Sequence, residues 1–340
     1  MKLRIPTLDT AVWIAVAVAL VVGLFLIRWI FSSSTVTVTN EHAETAQAVS
    51  PLSGIPCGGA TRRPIAVMLS SDPEARPLSG VGQADMVFEM PVTPNGITRL
   101  MAVYQCQDPK ELGSIRSARL DFIPLAQGVD AILAHWGGEQ AALAELDAHV
   151  MDNVDALKYE GTTFYRKNGV PAPHDGFSTL SLIRTRADEL GYRASTSLAA
   201  YVHTTSTPDR NLGDAADTVT VAWPQGMDVS FTYDADSNSY VRSRGGTPEV
   251  DATTGARVRA SVVIDMRTDA SFLRDQYIRV RTTGEGVATI WQGGRRINAL
   301  WKKPSATDML SFTDGDGQPI ALVPGTIWVL VDAPLSEAQP

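Results

Sequence analysis

Three polar stretches carry the residues best suited to chemistry. In Ser114 to Asp121, SIRSARLD, two arginines stand three residues apart, between a glycine and an apolar run. If a helix includes them, Arg116 and Arg119 share a face, and Arg99 of NGITRL can approach from a neighbouring strand. Planar guanidinium forks bind carboxylate or phosphate through paired hydrogen bonds, so a convergent set suits an anionic ligand. On spacing alone the default is plainer, a solvated charged face or an internal ion pair with Asp121 or Glu89. The second stretch, AILAHWGGEQAALAEL, runs an expected strand into His135, turns at Gly137 and Gly138, and enters a strong helix. Backbone N–H groups at such a helix start form an anion site. Glu139 can satisfy the same dipole, however, and the phosphate-loop spacing is absent. The third stretch, FYRKNGVPAPHDG, gathers Arg166, Lys167, His174 and Asp175 in a polar loop.

These residues set the expected site. Arg99, Arg116, Arg119, His135, Gly137, Gly138, Arg166 and His174 are the expected anion-binding groups. His135, His174 and Asp175 are the weak catalytic candidates, as acid or base beside Asp175 or Glu89. Adjacent His174 and Asp175 are no relay by sequence proximity. His135, Glu139, His149, Asp152, His174 and Asp175 offer metal-binding atoms without a recognised ligand spacing, so no metal and no cofactor are expected. There is no Gly-x-Ser-x-Gly motif, no supported Ser-x-x-Lys, and no activating neighbourhood around either cysteine. Cys57 and Cys106 can form a disulfide in oxidising surroundings or remain two unrelated thiols; sequence leaves both open.

The elements around these stretches fix their setting. The 340-residue chain is 44% apolar, enough for a real core and a length suited to about two domains. From Ala11 to Ile27 it is uncharged and apolar, and Arg28 to Phe31 extend the run to bilayer-spanning length. The run exceeds the usual signal-peptide core, and no small-residue cleavage site follows it. Lys2 and Arg4 precede it, whereas the polar stretch after it lacks Lys and Arg. The positive-inside rule then places the N-terminus in the cytoplasm and the rest outside, a single-pass protein of the cytoplasmic membrane. Past this segment the net charge is near −10, which argues against nucleic acid as a partner. The expected organisation is a cytoplasmic tail at 1–10, a transmembrane anchor at 11–31 and a flexible tether at 32–50, followed by two domains.

The fold class read from the pattern is α+β. Residues 51–210 alternate strands with helices, as in RRPIAVMLSS, ADMVFEMPV, TRLMAVYQC and AILAHW. The expected helices are SARLDFIPLAQ, EQAALAELDAH and Ser178 to Leu190, with Ser178 as N-cap and Gly191 just past the end. TTSTPDRNLGDAAD reads as the interdomain link. Residues 211–335 alternate apolar and polar positions between turn clusters such as DADSNS and DGDGQP, and read as mostly antiparallel β. Trp223, Phe231, Tyr233, Ile290 and Trp328 are its expected core.

Taken in order, SPLSGIPCGGATRRPIAVMLSS, GSIRSARLDF, AILAHWGGEQAAL, FYRKNGVPAPHDG, GEGVATIWQGGRRINALWKKP and GQPIALVPGTIWVLV resemble the YerB-like lipoproteins. These are bacterial envelope proteins of unknown function with distinct N- and C-terminal domains. The likeness runs from about Ser50 to Val331. Arg76, Asp85, Glu89, Thr98, Arg99, Arg116, Arg119, His135, Gly137, Gly138, Tyr165, Arg166 and His174 fit its pattern, and so many charged residues within it favour convergence on a cleft. Ser71, Pro94-Asn95 and Asp175 stand where the family tends to have Asn, Glu-Gly and Asn. The lipid-modified cysteine expected of many members is replaced here by the apolar N-terminal segment.

The functional expectation is an envelope protein that binds an anionic ligand, a cell-wall or phosphate-bearing polymer, in a cleft of the first domain. An envelope hydrolase and a scaffold docking a partner enzyme through an open β edge are the alternatives.

Overall fold

The structure is a computed structural model that describes residues 9–31, 47–204, 213–223 and 228–335, apart from the side chains at 10, 11, 16, 25 and 29–31. It divides into Met1–Ala46 and Gln47–Pro340. In the first unit Thr10–Phe31 is one helix, rich in alanine, valine and leucine. The expectation that this segment spans a membrane is not supported: among the described residues, no helix is long and apolar enough to cross one. Most of the expected tether at 32–50 lies outside the described residues. Its last part is folded instead, because Val49 bridges Pro56 and the buried Ser50 donates its hydroxyl to Gln105 Oε1 at 2.7 Å.

In the second unit a mixed sheet runs through both sequence regions. Its order is Ser311–Thr313, Arg295–Lys303, Gly284–Gln292, Val262–Arg267, Ile327–Asp332, Met86–Pro91, Thr98–Tyr104, Ile65–Ser70, Ile132–His135 and Asn153–Asp155. Ile327–Asp332 lies parallel to both neighbours, Met86–Pro91 from the first region and Val262–Arg267 from the second. The sequence boundary near 210 therefore does not divide the sheet.

Unbroken apolar runs such as IAVMLS have no polar face because both sides of this sheet are covered. Ala66, Met68, Phe88, Met101, Ile264 and Val329 face one core, while Ile65, Val67, Val87, Leu100, Val263 and Trp328 face the other. An antiparallel sheet of Thr218–Val221, Val229–Asp234, Ser239–Arg244 and Thr247–Pro248, with Arg259–Ala260 alongside, adds its apolar side chains to the second core. There the Phe231 and Trp328 rings meet edge to face, 5.6 Å apart. Of the expected core residues, Trp223, Phe231, Ile290 and Trp328 are buried. Tyr233 is only partly so, its hydroxyl reaching Asn238 Oδ1 at 2.8 Å.

Two helix expectations shift. SARLDFIPLAQ is not helical from its start: a 3-10 turn spans Leu120–Phe122 and an α-helix Ile123–Gly128. Pro124 lacks an N–H and fits only the first turn of a helix, so the helix begins around it. Ser178 belongs to the strand Gly176–Ser178, and Thr179 caps Leu180–Glu189 by accepting from Leu182 N at 3.1 Å. EQAALAELDAH becomes Gln140–Asp147. Of the expected link, 205–212 lie outside the described residues, and Asp214–Ala215 pairs with Arg295 and Arg296 at the sheet. Cys57 and Cys106 form a disulfide with Cα atoms 5.6 Å apart.

Candidate functional site

The two arginines of SIRSARLD reach one place through extended backbone. Arg116 N donates to Met68 O, Trp136 N to Arg116 O, and Ala118 N to Gly137 O, so the segment is stitched between the ends of Ile65–Ser70 and Ile132–His135. Arg119 is likewise extended, at φ −126° and ψ 144°. The helical i, i+3 face expected for the pair is not formed.

What gathers the cations is Asp72, two residues past Ser70. Its Oδ2 lies 3.4 Å from Arg99 Nη1, 3.9 Å from Arg116 Nη2 and 3.9 Å from His174 Nδ1. Ser70 donates its hydroxyl to the same oxygen at 2.6 Å. Arg99 arrives because it pairs with Ser70 across the Ile65–Ser70 and Thr98–Tyr104 ladder. His174 comes from the loop whose Pro173 carbonyl accepts from Arg116 Nη1 at 2.8 Å. Burial works to raise the Asp72 carboxyl, but the Ser70 hydroxyl and the charges of Arg99, Arg116 and His174 outweigh it and hold it below the usual range.

The cations outnumber their local partners. Burial, then the charges of Arg119 and Arg116, push the Arg99 guanidinium down to about 9 against the pull of Asp72, so it remains cationic at neutral pH. Arg119 is pushed down by burial, with Arg116 adding repulsion and Glu139, Tyr277 and Asp72 opposing. Its guanidinium sits 5.8 Å from the Tyr277 ring centroid. The Nε atoms of Arg99, Arg116 and Arg119 and Nδ1 of His174 are buried without a hydrogen-bond partner. Arg116 keeps 21% of its side chain exposed, so the cluster opens to solvent at this residue. Several charged donors aimed at one half-open place, with donor capacity left over, can hold an anion.

The other expected residues have different work. His135 is fully buried, with Nδ1 2.8 Å from Gly137 O and Nε2 3.2 Å from Asn153 Oδ1. Gly137 N donates to Asp155 Oδ1 at 2.8 Å, so the chain's own carboxylate fills that part of the helix start. At φ +61° Gly137 occupies the left-handed region that glycine tolerates best. Gly138 bridges Ala118. Arg166 pairs with Glu160 and Asp175, each at 2.8 Å, and stacks over the Trp136 ring at 4.5 Å. Asp175 is thus engaged by Arg166 while His174 faces Asp72. Glu89 is fully buried beneath Arg242, Arg244 and Thr98. The histidine–carboxylate pairs expected for a hydrolase, with Asp175 or Glu89, are not those the fold assembles. Among the described residues, no group of three or more His, Cys, Asp or Glu side chains could hold a metal ion.

Sequence reasoning missed Asp72. The available signal was Ser70-Ser71-Asp72-Pro73, a turn at the end of an apolar strand. Which arginine faces it depends on strand register.

Residues 52–193 match the family described as "Protein of unknown function (DUF3048) N-terminal domain", and residues 219–329 match its C-terminal domain. The chain belongs to the YerB-like family. It is 29% identical over 288 residues to the Bacillus subtilis (strain 168) protein named "Putative lipoprotein YerB", a match covering 82% of this chain and 83% of that one. The crystal structure of YerB protein from Bacillus subtilis superposes with a TM-score of 0.76 at 26% identity, covering 85% of this chain and 97% of the other. Both family regions contribute to the sheet, and the Asp72 cluster lies within the N-terminal match.

Proposed function

We propose that this YerB-like protein is a membrane-associated, extracytoplasmic envelope protein whose Arg99, Arg116, Arg119 and His174 cluster binds an anionic ligand. The lipoprotein name of the Bacillus subtilis relative and the apolar character of Thr10–Phe31 support the location. One observation carries the ligand reading: three guanidiniums and an imidazole surround Asp72, and each keeps a buried nitrogen without a partner. The ligand class is a carboxylate- or phosphate-bearing cell-wall polymer. The contacts are charged hydrogen bonds, and an acidic chain without a general basic surface has little use for non-specific polyanion binding.

The test is co-sedimentation of the full-length protein with isolated wall polymer and with its phosphate-free form across a salt series. Wild type is expected to bind in a salt-sensitive manner, and the double variant Arg116→Ala/Arg119→Ala to lose that binding while unfolding at a similar denaturant concentration. A folded double variant that retains full binding would end this reading. Cell fractionation addresses the location: the chain is expected in the membrane fraction, and recovery in the soluble fraction alone would refute the attachment.

A further inference from the structure

A cavity lined in part by Arg76, at the end of the turn that begins at Ser71, has a different chemistry from the Asp72 cluster. Its volume is about 210 Å³, and its walls come from both family regions, Pro77, Val81 and Leu100 from the first and Val258 and Trp328 from the second. Arg76, Arg242, Arg244 and Glu249 also line it. Arg242 and Trp328 are each 1% exposed. The Arg242 guanidinium stacks 4.2 Å from the Trp328 ring, and it spends Nη2 on Glu89 and Nε on Glu249. That leaves two buried donors, Arg242 Nη1 and Trp328 Nε1, without any acceptor. A buried donor left unpaired costs ~1–3 kcal/mol, so two on residues lining one cavity call for an acceptor.

We propose that this cavity binds a small monoanion with an apolar body, a branched or aromatic carboxylate, whose carboxylate lies at the guanidinium end and whose body lies on Pro77, Val81, Leu100 and Val258. The two donors without an acceptor call for a carboxylate, the apolar walls select a hydrocarbon body, and the volume sets its size. The space amounts to roughly seven waters at ~30 Å³ each and falls below the ~300–1,000 Å³ of drug-sized sites. A hydrated inorganic anion would leave the apolar walls unmatched, and a polymer does not fit. The site is lined by other residues than the Asp72 cluster, and Arg76 meets the turn between them by donating Nε and Nη2 to Ser71 O at 3.1 and 2.8 Å.

Calorimetric titration of the full-length protein in nanodiscs tests this, with phenylacetate and 4-methylpentanoate as probes, and phenylacetamide and acetate as partners lacking the charge or the body. The Trp328 indole N–H resonance reports position. Both probes are expected to bind saturably at about millimolar Kd or tighter, with phenylacetamide and acetate each at least about tenfold weaker. Arg76→Gln should weaken phenylacetate about tenfold. Thr247→Trp, a surface substitution at the rim that leaves the core untouched, should block it. Absence of saturation at about 10 mM would overturn the proposal, as would equal affinity for the amide or an unmoved Trp328 resonance at saturation. Unchanged phenylacetate affinity in either variant would do the same.

Discussion

Two arginine clusters on either side of one turn use the same residue types for opposite ends. At Glu89, a fully buried carboxylate from the first sequence region accepts from Arg242 and Arg244 of the second, and Glu249 answers both again. Burial would raise Glu89, but the two guanidiniums more than compensate and hold it below its ordinary range. Burial would likewise lower Arg244, and the two glutamates keep it raised. At Asp72 one partly exposed carboxylate serves Arg99, Arg116 and His174, with Arg119 close enough to repel Arg99. In the first cluster both carboxylates are engaged by the same two guanidiniums and Glu89 is wholly buried, which makes it a clamp between regions, with one Arg242 donor left over for the cavity beside it. The second is short of carboxylate and reaches solvent. Charge ratio and exposure, not the presence of arginine, separate a structural ion pair from a binding site.

Breaking the matched cluster should have the largest effect. Glu89→Gln leaves two buried guanidiniums short of a counter-ion, and unfolding in urea should show a loss of about 3–5 kcal/mol. A loss below about 1 kcal/mol would mean that solvent reaches the clamp. Next, Arg116→Ala should weaken anion binding about 10- to 100-fold, the scale of one charged hydrogen bond, while stability changes by less than about 1 kcal/mol because the side chain is partly exposed. If both clusters respond equally in stability, the contrast between them disappears.

Asp72→Asn sharpens the contrast by removing the internal competitor. Anion binding should tighten about fivefold, as expected of one partly exposed charge. Its depressed carboxyl also predicts an acid dependence. The stabilisation is fully present above the unfolded value of ~3.9 and lost as pH falls through the lower folded value. The Asn variant should therefore flatten that acid limb, as measured by thermal unfolding against pH.

The smallest effect belongs to the reverse imbalance, Asp265 beside Asp332, both near the exposed Arg267. Burial, then the charge of Asp332, pushes Asp265 up to about 6. The folded state thus holds a proton that the unfolded chain releases near ~3.9, and stability declines as pH rises from about 4 to about 6. Asp265→Asn should remove this decline and gain about 1 kcal/mol at neutral pH. Equal slopes in the variant and wild type would contradict the assignment.

Much of the fold was legible because its signals are local. The runs IAVMLS, MVFEMP and TRLMAVY announce strands through composition, and their lack of alternation announces two covered faces. The turn clusters after Thr218 marked the hairpins. Pairing order was not legible: nothing near Ile327 says that it will lie beside Met86, since register is decided by contacts far apart in sequence. The site divides the same way. Arg99, Arg116, Arg119 and His174 could be named as types, but Asp72 and the separation of His135 and Arg166 from the cluster depend on which residues face each other. Arg242 and Arg244 went unnamed because the alternation in SYVRSR does not say which face is covered; both are buried.

The position of Ile327–Asp332 bears on the order of events in biogenesis. Met86–Pro91 is made long before Ile327–Asp332, and one of its edges stays bare until that strand has been made. A chain made from its N-terminus therefore completes this sheet only after Ile327–Asp332 has been added. Loss of Ile327–Asp332 opens the middle of the sheet, leaving unpaired edges that recruit other chains.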